Sequence, residues 1–252
     1  MKNDSSTECW NKVGIEWYLY AQTNDFRMDF IMPFTLKQLG DVSGKMILDI
    51  GCGEGGYSRE LAKKGAIVTA VDCTEVAINY SKLKAEEEQL NISHYVRNSN
   101  DLQGIPDNTF DIVLSSMMLM DCEDLNGTVK EISRVLKLGG KLLVSILHPC
   151  FNGKDIHWSG GNIVPQVVIN NYFSPTEWEA PIAKSINSIV IWRHRTLQEY
   201  IKTFVKNHLN IIDLNEPIPD DQQISESPRL GFLSKIPMFL FFELEKSIVY
   251  NL

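Results

Sequence analysis

The sequence lacks several features that would assign a protein to a class at once. Its five cysteines are scattered, without a CxxC pair or other metal-ligand spacing, and this favours free thiols over a disulfide framework or a zinc site. No stretch approaches the roughly 18 apolar residues that cross a bilayer. The first residues are polar and lack the apolar core of a signal peptide. We therefore expect a cytoplasmic protein without a metal site or a membrane segment.

The sequence also contains fewer basic than acidic residues. The 252 residues include 24 Lys and Arg against 32 Asp and Glu, so the formal net charge is -8. Nucleic acids and anionic membranes favour a basic face, so we expect neither as a partner. The composition, 44% hydrophobic and 22% charged, is that of an ordinary globular domain. We expect a monomer or homodimer that binds a small molecule.

Short apolar runs alternate with amphipathic stretches, which is the pattern of an α/β fold. Runs rich in Ile and Val, suited to strands covered on both faces, occupy residues 46–50, 66–71, 92–96, 110–114 and 141–147. Residues 125–136 repeat at helical spacing until Gly139-Gly140 stops the predicted helix, and Thr196 with Glu199 predicts a capping box at the start of another. We predict a doubly wound, largely parallel sheet.

Two segments interrupt this alternation and set the predicted domain boundaries. Residues 1–40 are rich in aromatic side chains and are predicted to form a helical lid, with Pro33 starting or kinking a helix. Residues 149–195 are rich in proline, glycine and aromatics and are too long for a simple connection, which predicts a substrate-cap insertion. The cofactor-binding core is assigned to 41–148 and 196–252, with further strands around 210–214 and 238–244.

The strongest local signal is a glycine loop, Ile47-Leu48-Asp49-Ile50-Gly51-Cys52-Gly53-Glu54-Gly55. Glycines at a strand-to-helix turn let a ligand approach the backbone, and amides at the helix start face it. The next strand ends at Val71-Asp72, about 20 residues later, where a carboxylate can accept hydrogen bonds from ribose hydroxyls. This order of turn, helix and acidic strand end predicts a nucleotide cofactor.

Electrostatics distinguish between two such cofactors. A nicotinamide dinucleotide places its pyrophosphate at the helix start, where an acid repels it. Asp49 precedes the turn and Glu54 lies inside it. S-adenosylmethionine has no phosphate and carries an ammonium and a sulfonium, so neighbouring acids suit it. The loop therefore favours S-adenosylmethionine, and an NAD-dependent oxidoreductase is kept as an alternative.

The same loop resembles motif I of the class I S-adenosylmethionine-dependent methyltransferases. Ala70-Val71-Asp72 is similar to the strand end that carries the family's ribose-binding acid. Residues 98–102 and 106–111 are similar to the family's stretch after the third strand. Residues 131–140 are similar to its "E..RVLKPGG" helix end, with Leu138 where proline is usual. The resemblance spans roughly residues 44–148 and is weaker in the flanks. It implies a Rossmann-like, seven-stranded sheet with an antiparallel last strand, and S-adenosyl-L-homocysteine as a product.

The resemblance also implies positions for the cofactor. Asp72 is expected at the ribose, Arg27 near the cofactor carboxylate, and Asn98 at the adenine amino group, where the family usually has aspartate. An amide oxygen can still accept that hydrogen bond. The predicted cofactor-binding residues are Arg27, Asp49, Gly51, Cys52, Gly53, Asp72, Cys73, Asn98, Ser99, Asn100 and Ser115.

The methyl acceptor is expected beyond the carboxyl ends of the fourth and fifth strands. Residues 114–121 lack the (Asn/Asp/Ser)-Pro-Pro-(Tyr/Phe) sequence that the resemblance associates with amino methylation of DNA bases or protein glutamine. The catalytic candidates are His148, as a general base for a hydroxyl, and Tyr18, although His148 equally suits a hydrogen bond to the backbone. The predicted substrate-binding residues are Tyr20, Met117, Met120, His148, Tyr172 and His194.

Together these patterns predict a methyltransferase that uses S-adenosylmethionine to methylate O or N of a small, aromatic or heterocyclic metabolite, as in natural product biosynthesis. An RNA or protein methyltransferase is kept as an alternative beside the oxidoreductase. His194-Arg195-Thr196-Leu197 followed by Glu216-Pro217 resembles a stretch of bacterial small-molecule methyltransferases. It indicates a subgroup and names no acceptor.

Overall fold

A computed structural model describes residues 4–183 and 186–247. The strands are β1 (Met46–Ile50), β2 (Ile67–Asp72), β3 (Ile92–Val96), β4 (Phe110–Ser116), β5 (Leu136–Leu147), β6 (Ile156–Ser159), β7 (Gln166–Ile169), β8 (Thr176–Ala183), β9 (Ile186–His194), β10 (Leu209–Asn215) and β11 (Phe239–Lys246). The α-helices are α1 (Ser5–Ala21), α2 (Met32–Leu39), α3 (Gly56–Lys63), α4 (Glu75–Glu87), α5 (Leu125–Val135), α6 (Leu197–Lys206) and α7 (Asp221–Glu226). A π-helical turn (Phe26–Ile31) precedes α2, and a 3-10 helix (Pro228–Ser234) follows α7.

Seven strands form one mixed sheet in the order β10-β11-β5-β4-β1-β2-β3. Strands β1 to β5 pair in parallel, whereas β11 runs antiparallel to both β5 and β10. The predicted Rossmann-like sheet with an antiparallel last strand is confirmed. Because β1 to β5 are parallel, their carboxyl ends meet along one edge.

Both faces of this sheet are buried, as the apolar runs predict. Leu48 and Ile50 pack with Phe204 in the cluster that includes α5 and α6. Ile47 faces the other way and packs with Leu61 in the cluster that includes α2 and α3. Since successive side chains of a strand point to opposite faces, a strand covered on both sides needs apolar residues at nearly every position.

The helix predicted over residues 125–136 is present, but its stop signal is misplaced. Helix α5 ends at Val135, and Leu136 is already extended, with φ -67° and ψ 139°. Gly139 and Gly140 therefore lie inside β5, where the register between β4 and β5 is irregular. Gly139 has φ 72°, and a Cβ at Gly140 would lie 2.8 Å from the Lys137 carbonyl oxygen, so this bend requires glycine.

The two flanking segments have more regular structure than the sequence suggests. Helix α1 is interrupted at Gly14, with φ 58° and ψ -147°, and Pro33 occupies the first turn of α2, where a missing N–H is tolerated. The 149–195 segment contains two antiparallel hairpins, β6–β7 and β8–β9. The second hairpin packs on α1 through Val13 and Val190. The functions of these segments as lid and cap stay predictions.

The described residues contain no helix that is long and apolar enough to cross a membrane. Within the same residues, no group of three or more His, Cys, Asp or Glu side chains is arranged to hold a metal ion. All five cysteines are free thiols.

Candidate cofactor and acceptor site

A cavity of about 790 Å³ lies at the carboxyl edge of the sheet. Its wall is built from the ends of β1, β2 and β4, the segment after β3, α1, the π-helical turn and the β8–β9 hairpin. Cavities of this size bind small organic ligands and cofactors. The predicted site residues on its wall are Tyr18, Tyr20, Arg27, Asp49, Gly51, Cys52, Gly53, Asp72, Cys73, Asn98, Ser99, Met117 and Met120.

The glycine loop uses its amides within the protein instead of presenting them to a ligand. The amides of Gly51 and Cys52 both donate to the Val71 carbonyl oxygen, at 2.8 and 3.0 Å. The Gly53 amide donates to Asp72 Oδ2 at 3.0 Å. A pyrophosphate cradle depends on such amides being free. The amides of these three residues are thus engaged within the protein, while the expectation that amides at the start of α3 face the ligand stays a prediction.

Asp72 is held in place by hydrogen bonds to both carboxylate oxygens. Oδ2 accepts from the Gly53 amide, and Oδ1 accepts from the amide and hydroxyl of Thr74, each at 3.0 Å. A carboxylate oxygen can accept more than one hydrogen bond, so Asp72 retains acceptor capacity toward the cavity. This geometry suits a pair of ribose hydroxyls.

Tyr18 lies near Asp72, to which Thr74 connects it. Its hydroxyl is 3.2 Å from Thr74 Oγ1. Burial, and then the Asp72 charge, raise the pKa of Tyr18, so the phenol keeps its proton near neutral pH. The predicted catalytic role of Tyr18 stays a prediction, and these contacts place the side chain at the candidate ribose end.

Asp49 is a buried carboxylate on the cavity wall, only 2% exposed. It accepts one hydrogen bond, from Ser58 Oγ at 2.6 Å. Burial raises the pKa of Asp49 to about 6; Glu54 and Asp72 also raise it, whereas Ser58 and Arg27 lower it. A cationic ligand beside Asp49 would favour the ionised form.

Glu54, inside the glycine loop, lies between two arginines. Its carboxylate is 2.5 Å from Arg27 Nη2 and 2.8 Å from Arg59 Nη2, and its side chain is 3% exposed. Arg27 also donates to the Ala21 carbonyl oxygen at 2.9 Å. The Arg27–Glu54 ion pair connects the π-helical turn to the glycine loop. If Arg27 also binds a cofactor carboxylate, as predicted, its guanidinium has to bind that carboxylate and Glu54 together.

Asn98 connects the end of β3 to the first residues of α1. Its Nδ2 donates to Asp4 Oδ2 at 2.8 Å and to Thr7 Oγ1 at 3.2 Å, and its Oδ1 accepts from the Asn100 amide at 3.2 Å. An aspartate at this position would place a second carboxylate against Asp4. The asparagine therefore allows α1 to dock over the candidate adenine position.

Aromatic side chains form the part of the wall that α1 and β9 contribute. Trp10, Trp17, Tyr20 and Trp192 all line the cavity. The Trp10 and Trp17 rings are 6.1 Å apart and the Trp17 and Tyr20 rings 5.7 Å apart, measured between centroids. Of these four, sequence reasoning placed only Tyr20 in the site, because aromatic residues in the flanks are equally typical of packing.

Three methionines after β4, namely Met117, Met118 and Met120, line the cavity. Met117 has φ 56°, a left-handed conformation that is uncommon outside glycine. A Cβ at Gly51 would lie 2.3 Å from Met118 Cγ, so the glycine loop passes directly against this segment. The Leu147 amide donates to Met120 Sδ at 3.3 Å. Met117 and Met120 thus lie on the wall, as predicted residues for acceptor contact.

Five predicted site residues do not line the cavity: Asn100, Ser115, His148, Tyr172 and His194. The Ser115 hydroxyl is buried and has no hydrogen-bond partner in the described part of the chain. Ser116 lines the cavity instead, because neighbouring residues of a strand face opposite sides. Asn100 contacts the site only through its amide, which holds Asn98.

His148, Tyr172 and His194 join the insertion to the core. His148 Nε2 is 2.8 Å from Glu216 Oε1, and Nδ1 accepts from the Cys150 amide at 3.1 Å. Burial lowers the pKa of His148, and Glu216 raises it. His194 lies between two backbone carbonyl oxygens, one of them that of Tyr172 at 2.7 Å. The predicted roles of these three residues gain no support from such contacts.

Asp121 is a wall residue that sequence reasoning did not select. It ends the segment after β4, and burial raises its pKa to about 7 although Arg193 and Arg195 lower it. The feature of the sequence that could have identified Asp121 as a site residue is its position just beyond the carboxyl end of a central strand.

Comparisons with known proteins agree with this geometry. Residues 48–144 match the family model described as a methyltransferase domain. The chain is 35% identical over 154 residues to a ubiquinone biosynthesis O-methyltransferase of Coxiella burnetii, covering 59% of this chain and 61% of that protein. It is 31% identical over 139 residues to the enzyme of the same name from Xanthomonas oryzae pv. oryzae, covering 55% and 56%. The chain thus matches less than two thirds of the length of these relatives.

A solved structure shows the same fold over most of the chain. An S-adenosylmethionine-dependent methyltransferase from Mesorhizobium loti superposes with a TM-score of 0.74 at 24% identity, covering 89% of this chain and 99% of that one. Residues 48–144 thus carry a methyltransferase domain, and the fold of the chain is that of this S-adenosylmethionine-dependent methyltransferase.

Proposed function

We propose that this protein transfers a methyl group from S-adenosylmethionine to O or N of a small, aromatic or heterocyclic metabolite. The observation that carries the proposal is the composition of a single cavity. Asp49 and Asp72 line one part of it, and Trp10, Trp17 and Tyr20 line another. One cavity thus has a wall suited to a cationic nucleoside beside a wall suited to a flat organic ligand.

The residues present fit the cofactor. Asp72 would hold the ribose, Asn98 and Ser99 the adenine, and Asp49 with Arg27 the charged methionine end. The buried carboxylate of Asp49 on the cavity wall would repel a pyrophosphate, which speaks against NAD. When bound, S-adenosylmethionine supplies an electrophilic methyl group on a sulfonium.

The protein's own contribution to the reaction is to orient the two ligands and exclude water. Methyl transfer is an in-line displacement, so much of the rate comes from holding donor and acceptor collinear. Helix α1, the β8–β9 hairpin and the methionine segment after β4 all line the cavity. Aromatic faces along α1 also suit a sulfonium electrostatically.

Several observations support a small acceptor that is not an anion. The acidic residues on the cavity wall, which are Asp4, Asp49, Glu54, Asp72 and Asp121, outnumber its arginines, Arg27, Arg97 and Arg229, so a phosphate or carboxylate would meet an excess of like charge. The names of the curated relatives support oxygen as the methylated atom. The five free cysteines suit a reducing, cytoplasmic location. We propose no nucleic acid or membrane as a partner.

Calorimetry with S-adenosylmethionine and with NAD tests the cofactor, and we expect the first to bind and the second not to. A screen of metabolites with isotope-labelled S-adenosylmethionine then tests the acceptor class. Binding of NAD alone would overturn the proposal. Labelling of RNA or of a protein, with no labelled small molecule, would replace the acceptor class with a macromolecule.

A further inference from the structure

We propose that Asp121 is the catalytic base that takes the proton from an acceptor hydroxyl as that oxygen is methylated. The inference rests on the proposed function and adds two statements to it. It names the proton acceptor, and it narrows the substrate to a compound with a hydroxyl group that is neutral before the reaction.

Asp121 contributes to the cavity wall, as do Met117 and Met120 of the same segment after β4. Its backbone is fixed, because the carbonyl oxygen accepts from Ser6 Oγ at 2.5 Å and from Arg193 Nη1 at 2.7 Å. No hydrogen bond reaches its carboxylate from residues 4–183 or 186–247.

Two arginines stand close to Asp121 but are engaged elsewhere. Arg193 donates to the Asp121 carbonyl oxygen and to the hydroxyls of Ser5 and Ser6, and its Nε faces Glu177 at 2.9 Å. Arg195 donates to four backbone carbonyl oxygens of the same loop, those of residues 119, 120, 122 and 123. The guanidinium hydrogens hold the loop in shape, and the carboxylate stays available for a ligand.

The charges around Asp121 suit a base that works near neutral pH. Arg193 of β9 and Arg195, which follows that strand, lower the pKa of Asp121, while burial is the larger effect and raises it to about 7. Tyr200 of α6 and Cys122 of the same loop also interact electrostatically with Asp121. Burial raises the pKa of both groups. A base whose pKa lies near the working pH can both accept a proton and release it in each turnover.

The step balances without any further reactant. A bond forms between the acceptor oxygen and the methyl carbon, and the carbon–sulfur bond breaks with its electron pair staying on sulfur. The hydroxyl proton passes to the Asp121 carboxylate and then to solvent. The products are a methyl ether, S-adenosyl-L-homocysteine and one proton.

The test compares Asp121→Asn with wild type on two catechols of different acidity. With 4-methylcatechol, which keeps its proton near neutral pH, we expect turnover to fall by about 100-fold or more. With 4-nitrocatechol, whose more acidic hydroxyl ionises without help, we expect a much smaller loss. The wild-type rate should rise through about pH 7 and the variant should lack this rise, while Asp121→Glu recovers part of the turnover.

Binding measurements and an exposed acid outside the cavity provide the controls. The affinity for S-adenosylmethionine should stay within about twofold in Asp121→Asn, which shows that the variant folds. Glu86→Gln on α4 removes the same charge at an exposed position and should keep wild-type turnover. Equal losses with both catechols would overturn the role as a base, as would unchanged turnover. A wild type that binds S-adenosylmethionine but methylates neither catechol would overturn the hydroxyl acceptor. A wild type that binds no S-adenosylmethionine would overturn the proposed function itself.

Discussion

Asp49 is a residue whose ionisation lowers the stability of the ligand-free protein. Its pKa of about 6 in the folded chain lies above the ordinary 3.8, mainly because of burial. The contribution of this group to stability is therefore complete below about pH 4 and is lost as the pH rises through about 6. At about 1.4 kcal/mol per pKa unit, the difference is worth about 3 kcal/mol. A cation bound beside Asp49 would recover part of it.

Asp49→Asn separates stability from binding. The neutral amide can still accept from Ser58 and no longer ionises in the interior, so we expect the ligand-free variant to melt about 5 °C higher than wild type at pH 7.5. Losing the charge should weaken S-adenosylmethionine binding by about tenfold. Calorimetric melting and binding titrations measure both, and at pH 5 the difference in melting should shrink. A variant that is less stable at pH 7.5 would show that the Asp49 charge is not destabilising.

Asp72→Asn tests the ribose contact. Hydrogen bonds to a charged acceptor are worth roughly 1.5–3 kcal/mol each, so we expect binding of S-adenosylmethionine to weaken by about 100-fold, as measured by calorimetry. Asp101→Asn removes an exposed carboxylate after β3, the strand next to β2, and serves as the matched control. We expect its affinity for S-adenosylmethionine to be unchanged. Equal affinity in Asp72→Asn and wild type would contradict the ribose assignment.

The success of sequence reasoning at single residues depended on where their partners lie. Asp49 and Asp72 were found because the order of loop and strand ends is local in sequence. Ser115 was chosen where Ser116 lines the wall, since a shift of one residue reverses the face of a strand. His148 forms a hydrogen bond with Glu216, which lies 68 residues away in the sequence, and no local pattern predicts that contact.

Among the elements, α1 reaches the end of β3 through hydrogen bonds that Asn98 donates to Asp4 and Thr7. Asp4 caps the helix by accepting from the Thr7 amide at 2.8 Å, and its other oxygen accepts from Asn98. Asn98→Asp would place two carboxylates at this contact. We expect the variant to release the first turns of α1, seen as faster cleavage of the N-terminal segment by protease and weaker cofactor binding.

The double variant Asp4→Asn with Asn98→Asp provides the matched test of this contact. It restores an amide–carboxylate pair with the partners exchanged, and asparagine caps a helix about as well as aspartate. We expect protease resistance to return to near the wild-type level. If the double variant is cleaved as fast as Asn98→Asp alone, the Asp4–Asn98 contact does not hold the helix.

Elements of the sheet were predicted from sequence more fully than those of the insertion. The runs that became β1 and β4 are buried on both faces, which is a strong and local signal. Hairpins β6–β7 and β8–β9 were missed because prolines and glycines interrupt the apolar pattern of this segment. Trp178 stacks on its cross-strand partner Trp192 at 6.2 Å, a contact that stabilises β8–β9 but has no signature along the chain.

The whole molecule places much of its negative charge where a cation is expected. The net charge of -8 first argued only against polyanionic partners. In the structure Asp49 and Asp72 border the candidate cofactor position, whereas the charge of Glu54 is already neutralised by Arg27 and Arg59. The remaining attraction supports a cationic cofactor, and it disfavours an anionic acceptor in the same cavity.

Ligand binding should also couple the two flanking segments to the core. Helix α1 and hairpin β8–β9 pack on each other through Val13 and Val190, and both contribute to the cavity wall, with Tyr18 and Trp192 as examples. Strands β1 and β4 are buried inside the sheet whether or not a ligand is present. A bound ligand therefore adds contacts mainly to the cover of the cavity and to the glycine loop.

We expect S-adenosyl-L-homocysteine to slow hydrogen exchange in α1 and β9 much more than in β1 and β4. At a ligand concentration of about 100 times Kd, local openings that release the ligand are disfavoured by about 2.7 kcal/mol. We expect the central strands to exchange only through global unfolding, with or without the ligand. Mass spectrometry of exchanged peptides, with and without ligand, measures the difference. Asp72→Asn at the same ligand concentration is the control and should show little protection. Protection confined to the glycine loop, with α1 and β9 unchanged, would show that these two segments do not cover a bound cofactor.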